Sequence, residues 1–337
     1  MMAPAPGAGP RRAAAGGLLA VFLAAAAACD GDGARRAGPS LDLGADSMGV
    51  VPDARRIATR GPRALEENSG AARSRSQPGI WFTINDSGHE PVVYALDTSG
   101  RAQGEWAIDD ATNRDWETIA AGPCVGDDLS SGDCLYIGEV GDNGAQRPSV
   151  RIYRVAEPRA VGGTFGTLPS RVLHFEYEGG PRDVEASYMG ADGTLYLISK
   201  RALKDSAGRF RPALVFTIPP DAWTEGAERY VAAVADSLPI VPGTALGRQV
   251  TGATLSRDGH AAAVRTYSQL YVFRADSSTG RIATHVPPSV CSIAGLEEKQ
   301  GEGITWFDAA GEWLLTSEGR GEPIWVVRCL PPPDGAR

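Results

Sequence analysis

Three glutamates stand at the entrance to apolar, strand-like runs: Asp115-Trp116-Glu117-Thr118-Ile119-Ala120, Asp183-Val184-Glu185-Ala186 and Gly301-Glu302-Gly303-Ile304. Carboxylates brought together repel one another. Each must then bind a cation, pair with a basic side chain or keep a proton. Three kinds of chemistry follow. A hard cation such as calcium takes about six to eight oxygen ligands, and Glu117, Asp142 and Glu185 are the candidate ligands for it. Two carboxyl groups at the right separation can act as general acid and base or nucleophile on a glycoside. A phosphoester is the other substrate class for such a hydrolase, and Glu117, Glu185 and Glu302 are the candidate catalytic groups. The third use is structural, with ion pairs locking neighbouring elements together.

Further polar residues accompany these glutamates. Asn85-Asp86-Ser87-Gly88 and Gly141-Asp142-Asn143-Gly144 follow apolar runs. Asp or Asn beside Gly suits Asx turns and left-handed backbone, and the same turn can present a side-chain oxygen to a ligand. Lys200-Arg201 and Arg265 occupy corresponding places and would be counter-charges, while Ser317-Glu318 adds another carboxylate. The candidate ligand-binding set is therefore Asn85, Asp86, Asp115 and Glu117, then Asp142, Asn143, Asp183 and Glu185, then Lys200, Arg265, Glu302 and Glu318. The chain holds no Gly-x-Ser-x-Gly elbow, phosphate-binding Walker loop, His-Glu-x-x-His motif or dinucleotide fingerprint.

The elements that position these residues repeat. Short runs rich in β-branched and aromatic residues recur between Gly, Pro, Asp and Ser clusters, with no long helical periodicity, so the chain is all-β. Taken four strands at a time, the runs near 69–72, 80–84, 92–96 and 105–108 form one unit, and those near 116–120, 135–140, 150–155 and 172–177 a second. The third holds 184–188, 195–199, 213–218 and 230–234, and the fourth 252–255, 261–264, 269–273 and a weak strand near Val290. The fifth has only 303–306, 313–316 and 324–327, and the spare segment at 54–58 is left to complete it. Radial repetition of four-stranded antiparallel sheets is the propeller solution to exposed edges. The expectation is a five-bladed β-propeller closed by an N-terminal strand, or six blades if 222–251 holds another strand pair. In such a ring the first strand of each blade lines a central channel. The loops that enter first strands and leave second strands share one mouth, and that mouth is acidic. Tyr94, Tyr153, Phe216, Tyr271 and Trp325 on the third strands are expected to pack between blades.

The N-terminal end reads as an export signal over 1–29. Arg11-Arg12 precedes an apolar stretch too short to span a bilayer, and Cys29 follows Ala26-Ala27-Ala28 as the residue to be lipidated. Residues 30–50 form a tether, and 51–332 form one domain. The protein is expected in the bacterial cell envelope, held to the membrane through the lipid alone, or secreted if Cys29 is not lipidated. Its net charge of −8 excludes the basic surface that nucleic acid requires. The partners expected are a small molecule or cation, and the protein is expected to be a monomer. Four cysteines remain, Cys124, Cys134, Cys291 and Cys329. Export favours disulfides, and the most local of three connectivities joins Cys124 to Cys134 and leaves Cys291 for Cys329.

The phrases at 85–88, 115–120, 141–143, 183–186 and 301–304 resemble those of a group of bacterial exported propeller proteins, over about Leu65 to Cys329. More distantly the chain is similar to phytase-like and SdiA-regulated propellers. In the phytase-like relatives carboxylates near the channel bind calcium, so the resemblance implies calcium as the cofactor. The expectation is a lipid-anchored propeller that binds a small ligand or divalent cation at an acidic channel mouth. The alternatives are a hydrolase using the same carboxylates and a protein-interaction scaffold.

Overall fold

A computed structural model describes residues 52–333 apart from 60, 62, 63, 127–131, 201–203, 205, 225–229 and 242–245. The export segment, Cys29, the tether and Arg201 lie outside the described residues. In chain order the strands are β1 (Asp53–Thr59), β2 (Asn68–Arg73), β3 (Ile80–Asn85), β4 (Val92–Asp97), β5 (Ala102–Ile108), β6 (Trp116–Pro123) and β7 (Asp133–Glu139). There follow β8 (Val150–Ala156), β9 (Thr164–Leu168), β10 (Arg171–Tyr177), β11 (Val184–Met189), β12 (Leu195–Ser199), β13 (Ala213–Ile218) and β14 (Tyr230–Leu238). The last are β15 (Val250–Leu255), β16 (Ala261–Thr266), β17 (Gln269–Arg274), β18 (Ser289–Ser292), β19 (Gly301–Trp306), β20 (Glu312–Ser317) and β21 (Pro323–Arg328).

Their pairing forms five four-stranded antiparallel blades among the described residues: β2-β3-β4-β5, β6-β7-β8-β10, β11-β12-β13-β14, β15-β16-β17-β18 and β19-β20-β21-β1. The innermost strands contact one another in a closed cycle, β2 to β6 to β11 to β15 to β19 and back to β2. The chain is a β-propeller, and its N-terminal strand completes the last blade. Asp53 pairs with Arg328 and Ala54 with Val327. The stretch 222–251 contributes β14 and two short 3-10 turns, with no extra strand pair among its described residues.

Burial follows from the radial stacking. A strand in mid-blade is covered on both faces by neighbouring blades, so it reads as a continuous apolar run. Leu195-Tyr196-Leu197-Ile198-Ser199 is buried at every position. The outer strand β10 alternates more exposed and buried side chains from Val172 to Tyr177, as a half-covered strand must. Five apolar clusters fill the five spaces between blades. Tyr94, Tyr153 and Phe216 lie inside these clusters, and Tyr271 and Trp325 pack against them, as expected of the third strands. Near the axis the inner strands approach so closely that side chains must vanish. A Cβ at Gly252 would stand 2.5 Å from the Glu302 carbonyl oxygen.

One strand is unforeseen. β9 leaves blade two after its third strand and pairs in parallel with β5 of blade one, Gly104 opposite Thr164 through Ile108 opposite Leu168. Elsewhere β10 and β14 pair in parallel, Phe175 opposite Tyr230, and join the outer edges of blades two and three. Both pairings cover edges that would otherwise be open. Disulfides join Cys124 to Cys134 and Cys291 to Cys329. Two disulfides suit an extracellular or exported protein. Among the described residues no helix is long and apolar enough to cross a membrane.

Candidate functional site

Each inner strand carries a register shift where it enters its blade. The pairing skips Ser69-Gly70 in β2, Glu117 in β6, Glu185 in β11, Thr251 in β15 and Glu302 in β19. A bulge places an extra residue opposite one partner and re-aims its side chain. Repeated around a ring, the device turns five side chains toward one end of the axis. Glu117, Glu185 and Glu302 are there 3%, 2% and 3% exposed. Their neighbours are the residues one place before each strand's first pair, Glu67, Asp115, Asp183, Gln249 and Gln300. Opposite these stand the residues one place beyond each second strand's last pair, Asp86, Val140, Lys200, Tyr267 and Glu318. Backbone bonds fix the arrangement. The amides of Asp86, Lys200 and Glu318 donate to the carbonyls of Glu67, Asp183 and Gln300, at 2.7, 2.9 and 2.8 Å.

The polar groups divide into two clusters. In the first, the Lys200 ammonium is in direct contact with Glu185 Oε1. The Tyr267 hydroxyl donates to Glu302 Oε1 at 3.1 Å, and the Gln300 side-chain amide donates to both Glu302 Oε1 and Glu318 Oε1, each at 2.8 Å. Glu185 Oε2 and Glu302 Oε2 are buried without a hydrogen-bond partner. In the second cluster, one carboxylate oxygen from each of Asp86, Asp115 and Glu117 lies within 4.8 Å of the others. Ser69 Oγ donates to Glu117 Oε2 at 2.9 Å and to the Glu117 carbonyl at 3.1 Å. Asp86 accepts the Ser87 amide.

Too many carboxylates share this space for all to be charged. Burial raises the Glu117 carboxyl well above its ordinary value, and Glu185, Asp86 and Glu302 add repulsion. Burial also raises Glu302, against the Lys200 charge and the bonds from Gln300 and Tyr267. It raises Glu185 too, against the Lys200 ammonium. Burial alone would lower Lys200. The carboxylates of Glu185, Glu302 and Glu117 more than reverse that, and the ammonium keeps its proton. Burial and the neighbouring Asp86 push Asp115 up to about 6. Burial, followed by Glu302 and Asp86, pushes Glu318 up to about 8.

The structure thus brings Asp86, Asp115, Glu117, Glu185, Lys200, Glu302 and Glu318 to one end of the channel. Other candidates are turned to structural work. Asn85 ties down the entering loop, donating to the Ala64 carbonyl at 2.7 Å and accepting the Glu67 amide at 3.2 Å. Asp142 Oδ2 accepts the Arg147 amide at 2.7 Å, so Asp142 closes its own turn and does not join Glu117 in a metal-ligand cluster; Asp86 and Asp115 take that place. Asp183 Oδ1 accepts the Asp142 amide at 3.0 Å and links blades two and three. Asn143 is exposed on the same turn. Arg265 is fully buried and faces blade five. It donates to Glu298 Oε2 at 2.7 Å and to the carbonyls of Gly303 and Thr316 at 3.0 and 3.2 Å. At the end of β7, Glu139 is held by Arg147 at 2.8 Å and Arg151 at 3.2 Å. Trp116 packs between blades one and two beside Tyr153, as its place before Glu117 suggests. Tyr267 and Gln300 were not apparent as site residues. Their signal is positional: Gln300 precedes Glu302 by the same two residues that separate Asp115 from Glu117, and Tyr267 is to blade four what Lys200 is to blade three.

No protein-family profile and no curated sequence matches the chain. Among solved structures, it is similar to a glutaminyl cyclase from Myxococcus xanthus at 13% identity and a TM-score of 0.44, covering 85% of this chain and 100% of that one. It is similar to a PQQ-bound aldose sugar dehydrogenase from Streptomyces coelicolor at 13% identity and a TM-score of 0.42, covering 82% and 96%. A luciferin-regenerating enzyme is similar at 10% identity and a TM-score of 0.42, covering 82% and 95%.

Proposed function

We propose that the acidic end of the channel binds one divalent cation of the calcium type, through Asp86, Asp115 and Glu117. The observation that carries the reading is the convergence of these carboxylates from two blades, with oxygens within 4.8 Å of one another. Ligands about 2.3–2.6 Å from a calcium ion can stand up to about 5 Å apart across it. A bound ion would supply the positive charge that the three carboxylates lack. The other half of the mouth already has its cation. Lys200 is among three lysines in the whole chain, and it neutralises Glu185 from within the fold. This division favours one divalent site over a larger cluster.

Calorimetry of calcium binding at pH 7.5 tests the reading. Dissociation constants of roughly 10⁻⁴–10⁻³ M, the range of extracellular calcium modules, are expected. Asp115→Asn and Glu117→Gln should each weaken binding at least about tenfold. No heat and no thermal shift in wild type at millimolar calcium would reject the site. Because the raised carboxyls of Asp115 and Glu117 take up protons in competition with the ion, binding should weaken as pH falls from 7.5 to 5.5.

The reading places the protein outside the cytoplasm, anchored by a lipid on Cys29. Labelled palmitate should enter the wild-type chain and not Cys29→Ser. Equal labelling of both would remove the anchor.

A further inference from the structure

The two ends of the channel are built differently. At the end opposite the glutamates, residues of all five inner strands ring an opening of about 30 Å³, roughly the space of one water. Beside it, the turn between β15 and β16 and the turn between β19 and β20 enclose a pocket of about 470 Å³. That is within the roughly 300–1,000 Å³ of small-molecule sites, which are largely apolar with a few placed polar groups. Trp306, Phe307, Trp313, Ala309 and Pro331 supply the apolar lining, and Arg257 and His260 stand among the polar groups.

The charges around this pocket are unevenly satisfied. Asp308 accepts from Arg73 Nη2 at 3.0 Å, and Glu312 from Arg55 at 3.3 Å. Asp258 accepts from the Ser256 hydroxyl at 2.6 Å and the His260 amide at 3.1 Å. Asp133, across the neighbouring cleft that Trp306 and Arg257 share, pairs with Arg75 at 3.2 Å. Each of these carboxylates is engaged. Arg257 is not: the described residues give it no hydrogen bond and no ion pair, and its guanidinium lies 5.7 Å from the Trp306 ring centroid. On the channel side of the same indole is Arg73, only 5% exposed. Its guanidinium is 5.3 Å from Trp306 and 5.5 Å from Phe307, and its Nε and Nη1 are buried with no hydrogen-bond partner. Two arginines thus flank one aromatic ring, one short of partners in the interior and one without any at the surface.

We propose that this pocket is a second ligand site, for a small aromatic molecule bearing a carboxylate. The partly exposed indole of Trp306 presents flat apolar surface, backed by the buried rings of Phe307 and Trp313. Arg257 offers a planar fork that matches a carboxylate in two parallel bonds. The site is independent of the acidic mouth, which lies at the opposite ends of the same inner strands.

Calorimetric titration of the full chain with 1-naphthoate tests the proposal, with 1-naphthalenemethanol as the neutral isostere. Saturable binding of naphthoate is expected, at least about tenfold tighter than the alcohol, which is about 1.4 kcal/mol. Arg257→Ala should lose about the same factor. This residue is exposed in a turn, so an unchanged melting temperature will show the variant folded. Trp306→Leu should weaken both ligands, and Glu117→Gln neither. The proposal is overturned if naphthoate gives no saturable binding at millimolar concentration. It is equally overturned if acid and alcohol bind alike, or if folded Arg257→Ala binds naphthoate as wild type does.

Discussion

One ammonium among three buried glutamates sets the chemistry of the acidic mouth. Lys200 touches Glu185 and lies within the electrostatic reach of Glu302 and Glu117. Removing one partner of a buried pair leaves the other uncompensated, typically at a cost of about 3–5 kcal/mol. Lys200→Met should therefore destabilise the fold by roughly that amount in a denaturant melt at neutral pH, and adding Glu185→Leu should recover much of it. The raised carboxyls give a second expectation, with a definite sign. A carboxyl whose pKa is higher folded than unfolded favours the fold while it is protonated. That contribution is complete below the unfolded value and is lost as pH rises through the folded one. For Asp115 and Glu318, the folded values are about 6 and about 8. Carboxyls held low, such as Asp276 beneath the Ser278 hydroxyl, act on the acid side of this window. In EDTA the melting temperature should fall between pH 5 and pH 8.5, and calcium should oppose the fall. A melting temperature that rises across this interval in EDTA would show the mouth is not overcharged.

At the scale of elements, the bulges determine which residues meet. Most of the strands were legible in the sequence because mid-blade strands are buried on both faces and become apolar runs bounded by Gly, Asp and Pro. β12 and β20 are of this kind. β9 was not legible. Thr164-Phe165-Gly166-Thr167-Leu168 is almost wholly exposed, and its pairing with β5 bridges two blades, which no local pattern encodes. The three glutamates were legible as a repeated step into a strand. Their companions were only partly so, because the one or two residues skipped in each inner strand change which second-strand residue stands opposite. Counting along the sequence put Arg265 at the mouth, where the register places Tyr267. Arg265 instead clamps blade four to blade five through Glu298 and two carbonyls. Arg265→Met should cost about 3–5 kcal/mol of stability and leave calcium affinity within about twofold. A large loss of calcium affinity with unchanged stability would return Arg265 to the binding site.

For the molecule as a whole, stability depends on closing the ring. The apolar cores lie between blades, so a blade set loose at the seam would expose the inner faces on both of its sides. Two devices hold the fifth blade. β1 supplies its outer strand, and the Cys291–Cys329 disulfide ties the residue after β21 to β18 of blade four. Cys124–Cys134 closes a loop within blade two alone, where β6 and β7 already pair across its base. Loop-closure entropy grows with the span enclosed. The separations of 38 and 10 residues correspond to about 4 and about 3 kcal/mol. On entropy alone the two bridges differ little, but their positions differ. Losing Cys124–Cys134 leaves the ring covalently and topologically as it was. Losing Cys291–Cys329 leaves β1–β21 pairing, interblade packing and side-chain clamps such as Arg265 as non-covalent restraints on the last blade. The Cys291→Ala, Cys329→Ala pair should therefore lower stability by about 4 kcal/mol and raise hydrogen exchange selectively in β18 to β21 and β1. The Cys124→Ala, Cys134→Ala pair should act only within blade two. Uniform exchange across all blades in the first variant would show that the ring opens as one cooperative body and has no seam.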